Sequence, residues 1–364
     1  MTRALPTLVF LLLFATAAGA GVAEEKVLNF YNWADYIAPT TLDDFEAEYG
    51  IKVNYDIFDA TAVVEAKLLA GRTGYDIVLQ AMRFSTRLIS IGVFQPLQRE
   101  RLANWKNLDP WVLDVMARYD PGNRHAAPYM WGTTGFMYNV DMVLERMPDA
   151  PLDSAAMLFD PEVTRHFADC GIIWLDEAST VIPLVMLYLG YEPHSIDESE
   201  LAEAEAVLKS VRPHVRYISS GMGLNDMGNR DVCLAMAWSG DYIQAQNRAD
   251  EVGADVRLAY TVPKEGTVMW FDNLLIPADA PHVENAHLFL DFLMRPEVIA
   301  RISEFTGYGN ANRASIPYLD PLLANNPAAY PPMEARQGWQ AGLVYEPKLE
   351  RRRTRAWSRV KTGL

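Results

Sequence analysis

The chain is poor in the residues that most often carry chemistry: two cysteines and six histidines among 364 residues. The histidines are scattered and none stands at ligand spacing beside Cys170 or Cys233, so no metal site is expected. There is no G-x-x-x-x-G-K-[ST] loop to cradle nucleotide phosphates, no H-E-x-x-H zinc pair and no G-x-S-x-G nucleophile turn. GYGNAN at 307–312 falls short of a dinucleotide fingerprint, precedes no clear βαβ unit, and reads as a loop. Basic residues are also scarce, 32 Lys and Arg against 47 Asp and Glu, for a net charge of −15. An acidic chain does not suit nucleic acid or an anionic membrane surface and does suit cationic partners. The one basic cluster, RRRTRAW at 351–357, reads as a solvated face paired to acids elsewhere. No cofactor is implied.

Long apolar runs are missing except at the start. Arg3, the apolar stretch LVFLLLFATAA at 8–18 and the small residues after it read as a secretory signal, 1–23, with cleavage after Ala23 preferred to Ala20. The run is short for a membrane span. Loss of Arg3 takes the net charge from −15 to −16. A soluble protein exported to a bacterial periplasm is expected. In an oxidising compartment an isolated cysteine pair points to a disulfide between Cys170 and Cys233, the alternative being two buried thiols.

Strand-like and helix-like segments alternate from residue 27. VLNFYNW, IKVNYDIF and YDIVLQ read as strands, separated by PTTLDDFEAEYG and TAVVEAKLLAG as helices. This βαβαβ order predicts a mainly parallel sheet flanked by helices, with ligands beyond the carboxyl ends of the strands. AAPYMWGTTGFMYN at 126–139 reads as a crossing to a second βα-rich region, and VRLAYTVP at 256–263 as the return. The expected division is 24–133 plus 256–308 for one lobe and 134–255 plus 309–364 for the other.

What is present is a set of three Trp–Asp couples: Trp33/Asp35, Trp238/Asp241 and Trp270/Asp272, each after an apolar strand-like run. A ring face and a carboxylate both attract a cation, and the ring covers hydrocarbon. Three couples meeting in one cleft would suit a flexible organic polycation. The same carboxylates beside aromatics also admit a sugar site, including acid–base hydrolysis. We expect binding without catalysis. Taken singly, each Trp reads equally as core and each Asp as a cap or turn former.

YNWADYIAPTTLDDFEAEYGIKV, PYMWGTTGFMYN, WSGDYIQAQNRA, MWFDNLL, NANRA, YPP and RTRAW carry a resemblance that covers essentially the whole mature chain. The chain resembles the periplasmic polyamine-binding proteins of ABC transporters, most closely the putrescine-binding ones. The resemblance implies a type II two-lobed α/β fold that closes around its ligand, a monomer, and permease subunits as partners. It implies Trp33 and Tyr36 as one aromatic wall, with Trp238, Trp270 and Tyr308 as further stacking positions. It implies Asp241 and Asp272 as ammonium anchors, Asp35 as an acidic pocket position, and a Cys170–Cys233 disulfide.

The chain departs from that family at several pocket positions. Ala34, Ala81 and Arg83 stand where putrescine binders have Ser, and Thr180 stands near a pocket Glu, for which Glu177 is a candidate substitute. Arg83 is expected to face solvent; turned into the cleft it would repel a polycation and invite a carboxylate. Besides a polyamine, a ligand with one cationic end and a neutral or anionic other end, such as a guanidino acid, stays open. So does a role as ligand-dependent partner of a membrane signalling receptor.

Overall fold

The computed structural model describes residues 24–58, 61–221, 223–337 and 339–363. The expected signal segment 1–23 and its cleavage site lie outside the described residues. Eleven strands are β1 Val27–Trp33, β2 Lys52–Phe58, β3 Ile77–Ala81, β4 Ala126–Asn139, β5 Ile172–Trp174, β6 Val215–Ile218, β7 Leu234–Trp238, β8 Leu258–Thr261, β9 Val268–Leu275, β10 Gly309–Asn310 and β11 Gln340–Ala341. The main strand order is β2-β1-β3-β9-β4-β7-β5-β6.

The expected alternation is present. The helix Thr40–Tyr49 starts after Pro39 and stops at Gly50, which takes a left-handed φ of 63° so that its N–H reaches the carbonyl of Glu46. β1 pairs in parallel with β2 and β3, and β5 with β6 and β7, whereas β9 runs antiparallel to β3 and β4. Each lobe is therefore parallel at its outer strands and antiparallel where the chain crosses.

β4 makes the first crossing. Its residues Ala126–Thr133 pair with β9, and Thr134–Tyr138 pair with β7. At the junction the Thr134 N–H donates to Thr267 Oγ1 (3.2 Å), and that hydroxyl donates to the Thr134 carbonyl (2.6 Å). One threonine thus satisfies the backbone where the ladder changes partner.

At two of the three expected divisions, 255/256 and 308/309, the next strand pairs with the other half of β4. β8 pairs with Phe136–Asn139, the second-lobe half of β4, because Leu258 and Tyr260 pack into the apolar cluster of that lobe. The return crossing comes after it, at the Pro263–Gly266 turn. β10 pairs with Trp131 and Met130 in the first-lobe half, so GYGNAN contains a two-residue strand. The third crossing follows residue 331, where β11 pairs with Val268–Met269, and the helix Pro347–Thr362 then packs on the second lobe.

The Cys170–Cys233 disulfide is present and ties the turn before β5 to the residue before β7. Closing a loop of this length restricts the unfolded chain by about 4 kcal/mol of conformational entropy. In the basic cluster Arg352 pairs with Glu198, and Arg359, two residues beyond the cluster, pairs with Glu205. Arg353 departs from the expected solvated face. It is 1% exposed, and its guanidinium donates to the carbonyls of Pro193 and Ser195 and to the Tyr345 hydroxyl.

Candidate functional site

β9 lies between β3 and β4, and Asp272 stands opposite Ala81 on one side and Met130 on the other. Side chains alternate along a strand, so Trp270 and Asp272 share the cleft face while Phe271 enters the core. Asp272 is 8% exposed. Its Oδ2 accepts a hydrogen bond from the Tyr36 hydroxyl at 2.9 Å. Burial pushes the Asp272 carboxyl up to about 7, the Tyr36 hydrogen bond opposing and the charge of Glu177 adding to the rise.

Asp241 opens the helix Asp241–Glu251 directly after β7 and the Ser239–Gly240 turn. Its Oδ2 accepts from the Trp238 N–H at 3.0 Å and its Oδ1 from the Tyr308 hydroxyl. Burial raises its carboxyl to about 6, against the lowering effect of Tyr308, the Trp238 amide and the charge of Arg248. Among the described residues neither Asp241 nor Asp272 has a Lys or Arg within ion-pair distance.

An aromatic cluster joins the two carboxylates. The Tyr308 ring meets Tyr36 at 5.7 Å and Trp270 at 5.2 Å, edge to face in both cases. Tyr129 buttresses Tyr36: its hydroxyl donates to the Tyr36 carbonyl at 2.8 Å and its ring lies 5.7 Å away. Burial, with the neighbouring carboxylates, holds the Tyr36 and Tyr308 phenols well above their ordinary range, so both stay protonated as donors. Two glycines make room for the rings. A Cβ on Gly240 would stand 2.5 Å from the Tyr308 ring, and one on Gly132 would stand 2.5 Å from Trp270.

The structure thus brings together Tyr36, Trp270, Asp272, Tyr308 and Asp241, with Trp238 beside them through its backbone. Trp33 is half-buried and packs against Phe58, ring centroids 4.3 Å apart, at the end of β1. Asp35 lies on the rim, its side chain 69% exposed, with a left-handed φ of 53°, and pairs with Arg248 at 3.5 Å. Ala34 is exposed and Ala81 half-buried. Thr180 is half-buried in the first turn of the helix Ala178–Tyr188.

Arg83 corrects the expectation that it faces solvent. Its side chain is 17% exposed and its Nη2 lies 2.6 Å from Glu177 Oε1. It also donates to Ser179, and its guanidinium lies 3.8 Å above the Phe84 ring. The acid in front of the helix draws the guanidinium across the cleft. Glu177, the candidate substitute for the family carboxylate, is therefore already occupied.

Sequence reasoning missed Tyr129, Ser179, Arg248 and the two glycines. The glycines in WGTTG and WSGD, one and two residues after a tryptophan, were the available signal of close ring approach. Among the described residues no cluster of His, Cys, Asp and Glu could hold a metal ion, and no helix is long and apolar enough to cross a membrane.

Residues 40–331 match the family model described as bacterial extracellular solute-binding protein. The chain is 44% identical to the putrescine-binding periplasmic protein PotF of Escherichia coli, across 96% of this chain and 95% of that one. It is 41% identical to the putrescine-binding periplasmic protein SpuD of Pseudomonas aeruginosa, across 100% of both. Among solved structures it resembles the spermidine/putrescine ABC transporter substrate-binding protein PotD of Streptococcus pneumoniae. That match has a TM-score of 0.79 and 26% identity, over 93% of this chain and 99% of that one.

Proposed function

The chain belongs to the bacterial extracellular solute-binding protein family, and from that premise we propose that it captures a putrescine-like polyamine between its lobes and delivers it to the permease of an ABC importer. It works in the periplasm as a monomer, after removal of residues 1–23, and binds without catalysis. The observation that carries this reading is the pair of carboxylates, buried Asp272 and half-buried Asp241, each held by a tyrosine hydroxyl and, among the described residues, by no side-chain cation.

A desolvated carboxylate is costly unless paired. An arriving ammonium relieves that cost at each end, while Tyr36, Trp270 and Tyr308 cover the methylenes between. Tyr36 and Tyr308 are protonated donors, so they orient the carboxylates and leave other oxygen lone pairs for the ligand. The ligand is held by both lobes, Asp272 on β9 and Asp241 on the helix after β7. It therefore favours closure by binding the closed state more strongly. The hinges are β4 at Thr133–Thr134, the 262–267 return and the segment around β11.

The names of the relatives point to the same ligand class. The test is titration of the purified protein with putrescine, spermidine and a guanidino acid, followed by tryptophan fluorescence or calorimetry. Saturable binding of putrescine supports the reading. Binding of the guanidino acid alone would replace it with a ligand that is cationic at one end only.

A further inference from the structure

Beyond the two anchoring carboxylates the cleft carries two ion pairs, each joining one lobe to the other. Arg83, in the helix Met82–Ser90, reaches Glu177 just before the helix Ala178–Tyr188. Arg248 reaches Asp35. Their positions relative to the anchors differ. Arg83 follows Ala81, the residue paired with Asp272, by two positions. Arg248 stands two turns beyond Asp241 on the same helix. Each anchor therefore has a guanidinium already held by an acid within two residues of its strand partner or two turns along its helix.

The Arg83 pair is the better built. Its Nη2 lies 2.6 Å from Glu177 Oε1, the Ser179 hydroxyl donates to the same oxygen at 2.8 Å, and the guanidinium rests on Phe84. The backbone of Gly342, on the third crossing, closes against the Arg83 side chain, where an added Cβ would come within 3.4 Å of Cδ. Glu177 is close enough to Asp272 for its charge to be felt there. The ion pair thus stands near the Asp272 end of the cleft, two residues past the Ala81–Asp272 pairing, and Oε1 of its acid is taken by Arg83 and Ser179.

Resting on the polyamine reading above, we propose that Arg83 is a specificity-determining residue that sets ligand length: its guanidinium engages Glu177 near the Asp272 end, so the cleft accepts a linear dication and offers no free acid there to a third charged nitrogen. Two ammonium groups neutralise Asp272 and Asp241. A third would have to displace Arg83 from Glu177 or stand unpaired beside a partly screened guanidinium.

The experiment is calorimetric titration of the wild type, Arg83→Gln and Arg83→Lys with putrescine and with spermidine, with thermal melts of each variant as a check on folding. The quantity read is the ratio of the spermidine to the putrescine dissociation constant. Arg83→Gln keeps a planar polar group and removes the charge. It is expected to lower the ratio about tenfold, the size of effect that one partly screened charge supplies. Arg83→Lys keeps the charge and is expected to hold the ratio within about threefold of wild type. An unchanged ratio in Arg83→Gln, with putrescine still bound by the wild type, overturns the role of Arg83 and leaves the ligand reading standing. Failure of the wild type to bind either amine overturns both.

Discussion

The hydroxyl of Tyr36 lies 2.9 Å from Oδ2 of Asp272, a contact across 236 positions of sequence. It fixes the turn after β1 to the strand at the centre of the first-lobe sheet. It also stabilises the charged form of a carboxylate that burial would otherwise neutralise. The Tyr308–Asp241 contact repeats the arrangement at the seam with the second lobe. Both carboxylates are thus oriented in advance for a cation.

Ligand binding is expected to release protons. Without ligand the Asp272 and Asp241 carboxyls titrate at about 7 and about 6, raised by burial. An ammonium favours the charged forms, so both values fall on binding. Affinity should be flat above about pH 7 and fall as pH drops, with the slope approaching two protons per ligand below about pH 6. Calorimetry in buffers of different ionisation enthalpy measures the protons directly. Proton-free binding at pH 6 would contradict the assignment of these carboxylates.

The same shifts predict a stability cost in the empty protein. The folded values lie above the unfolded value of about 4, so the folded state holds more protons between about pH 4 and 7, and stability falls as pH rises through that window. Asp272→Asn removes the buried charge and leaves an oxygen for Tyr36. At pH 8 the ligand-free variant should be more stable than wild type by on the order of 1–3 kcal/mol. A melt that shows no gain would mean that Asp272 is better compensated than its surroundings indicate.

Tyr308→Phe removes the donor that favours ionised Asp241. The Asp241 carboxyl should rise further, shifting the pH midpoint of binding upward and weakening the ligand roughly tenfold at neutral pH. An unmoved midpoint in a titration series would show that the hydroxyl does not act through Asp241.

Gly132→Ala tests the aromatic wall. The added Cβ would stand 2.5 Å from Trp270 and 2.6 Å from the Ser239 hydroxyl, both close to the seam between the lobes. Overpacking of this kind costs about 1–3 kcal/mol. Trp270 must shift, so both the melting temperature and ligand affinity should drop. A drop in stability alone would place Trp270 outside the contact surface.

The sequence made much of this legible, and the reasons differ by element. The βαβαβ start was readable because Gly50 and the period of the apolar residues are local signals. Asp241 and Asp272 stood out by their spacing from Trp238 and Trp270, whereas Tyr308 entered only through the resemblance, since its approach to them depends on segments far apart in the chain. VRLAYTVP reads as a crossing because an apolar strand in either lobe has the same pattern; its pairing with Phe136–Asn139 is not a local signal. Arg83 was misread because the direction of a long side chain depends on its partner, and Glu177 lies 94 residues away. Asp35 carried the expected aromatic neighbour, but its left-handed backbone turns it to the rim and to Arg248.

The most direct test of the central claim is calorimetric titration of wild type and Asp272→Asn with putrescine at pH 8. The account predicts saturable binding of one ligand per wild-type chain. It predicts a variant that remains folded and binds at least about 30-fold more weakly, as expected for loss of one partner of a buried charge pair. Equal affinity in the two proteins would contradict the account, because the buried carboxylate on β9 would then have no part in holding the ligand.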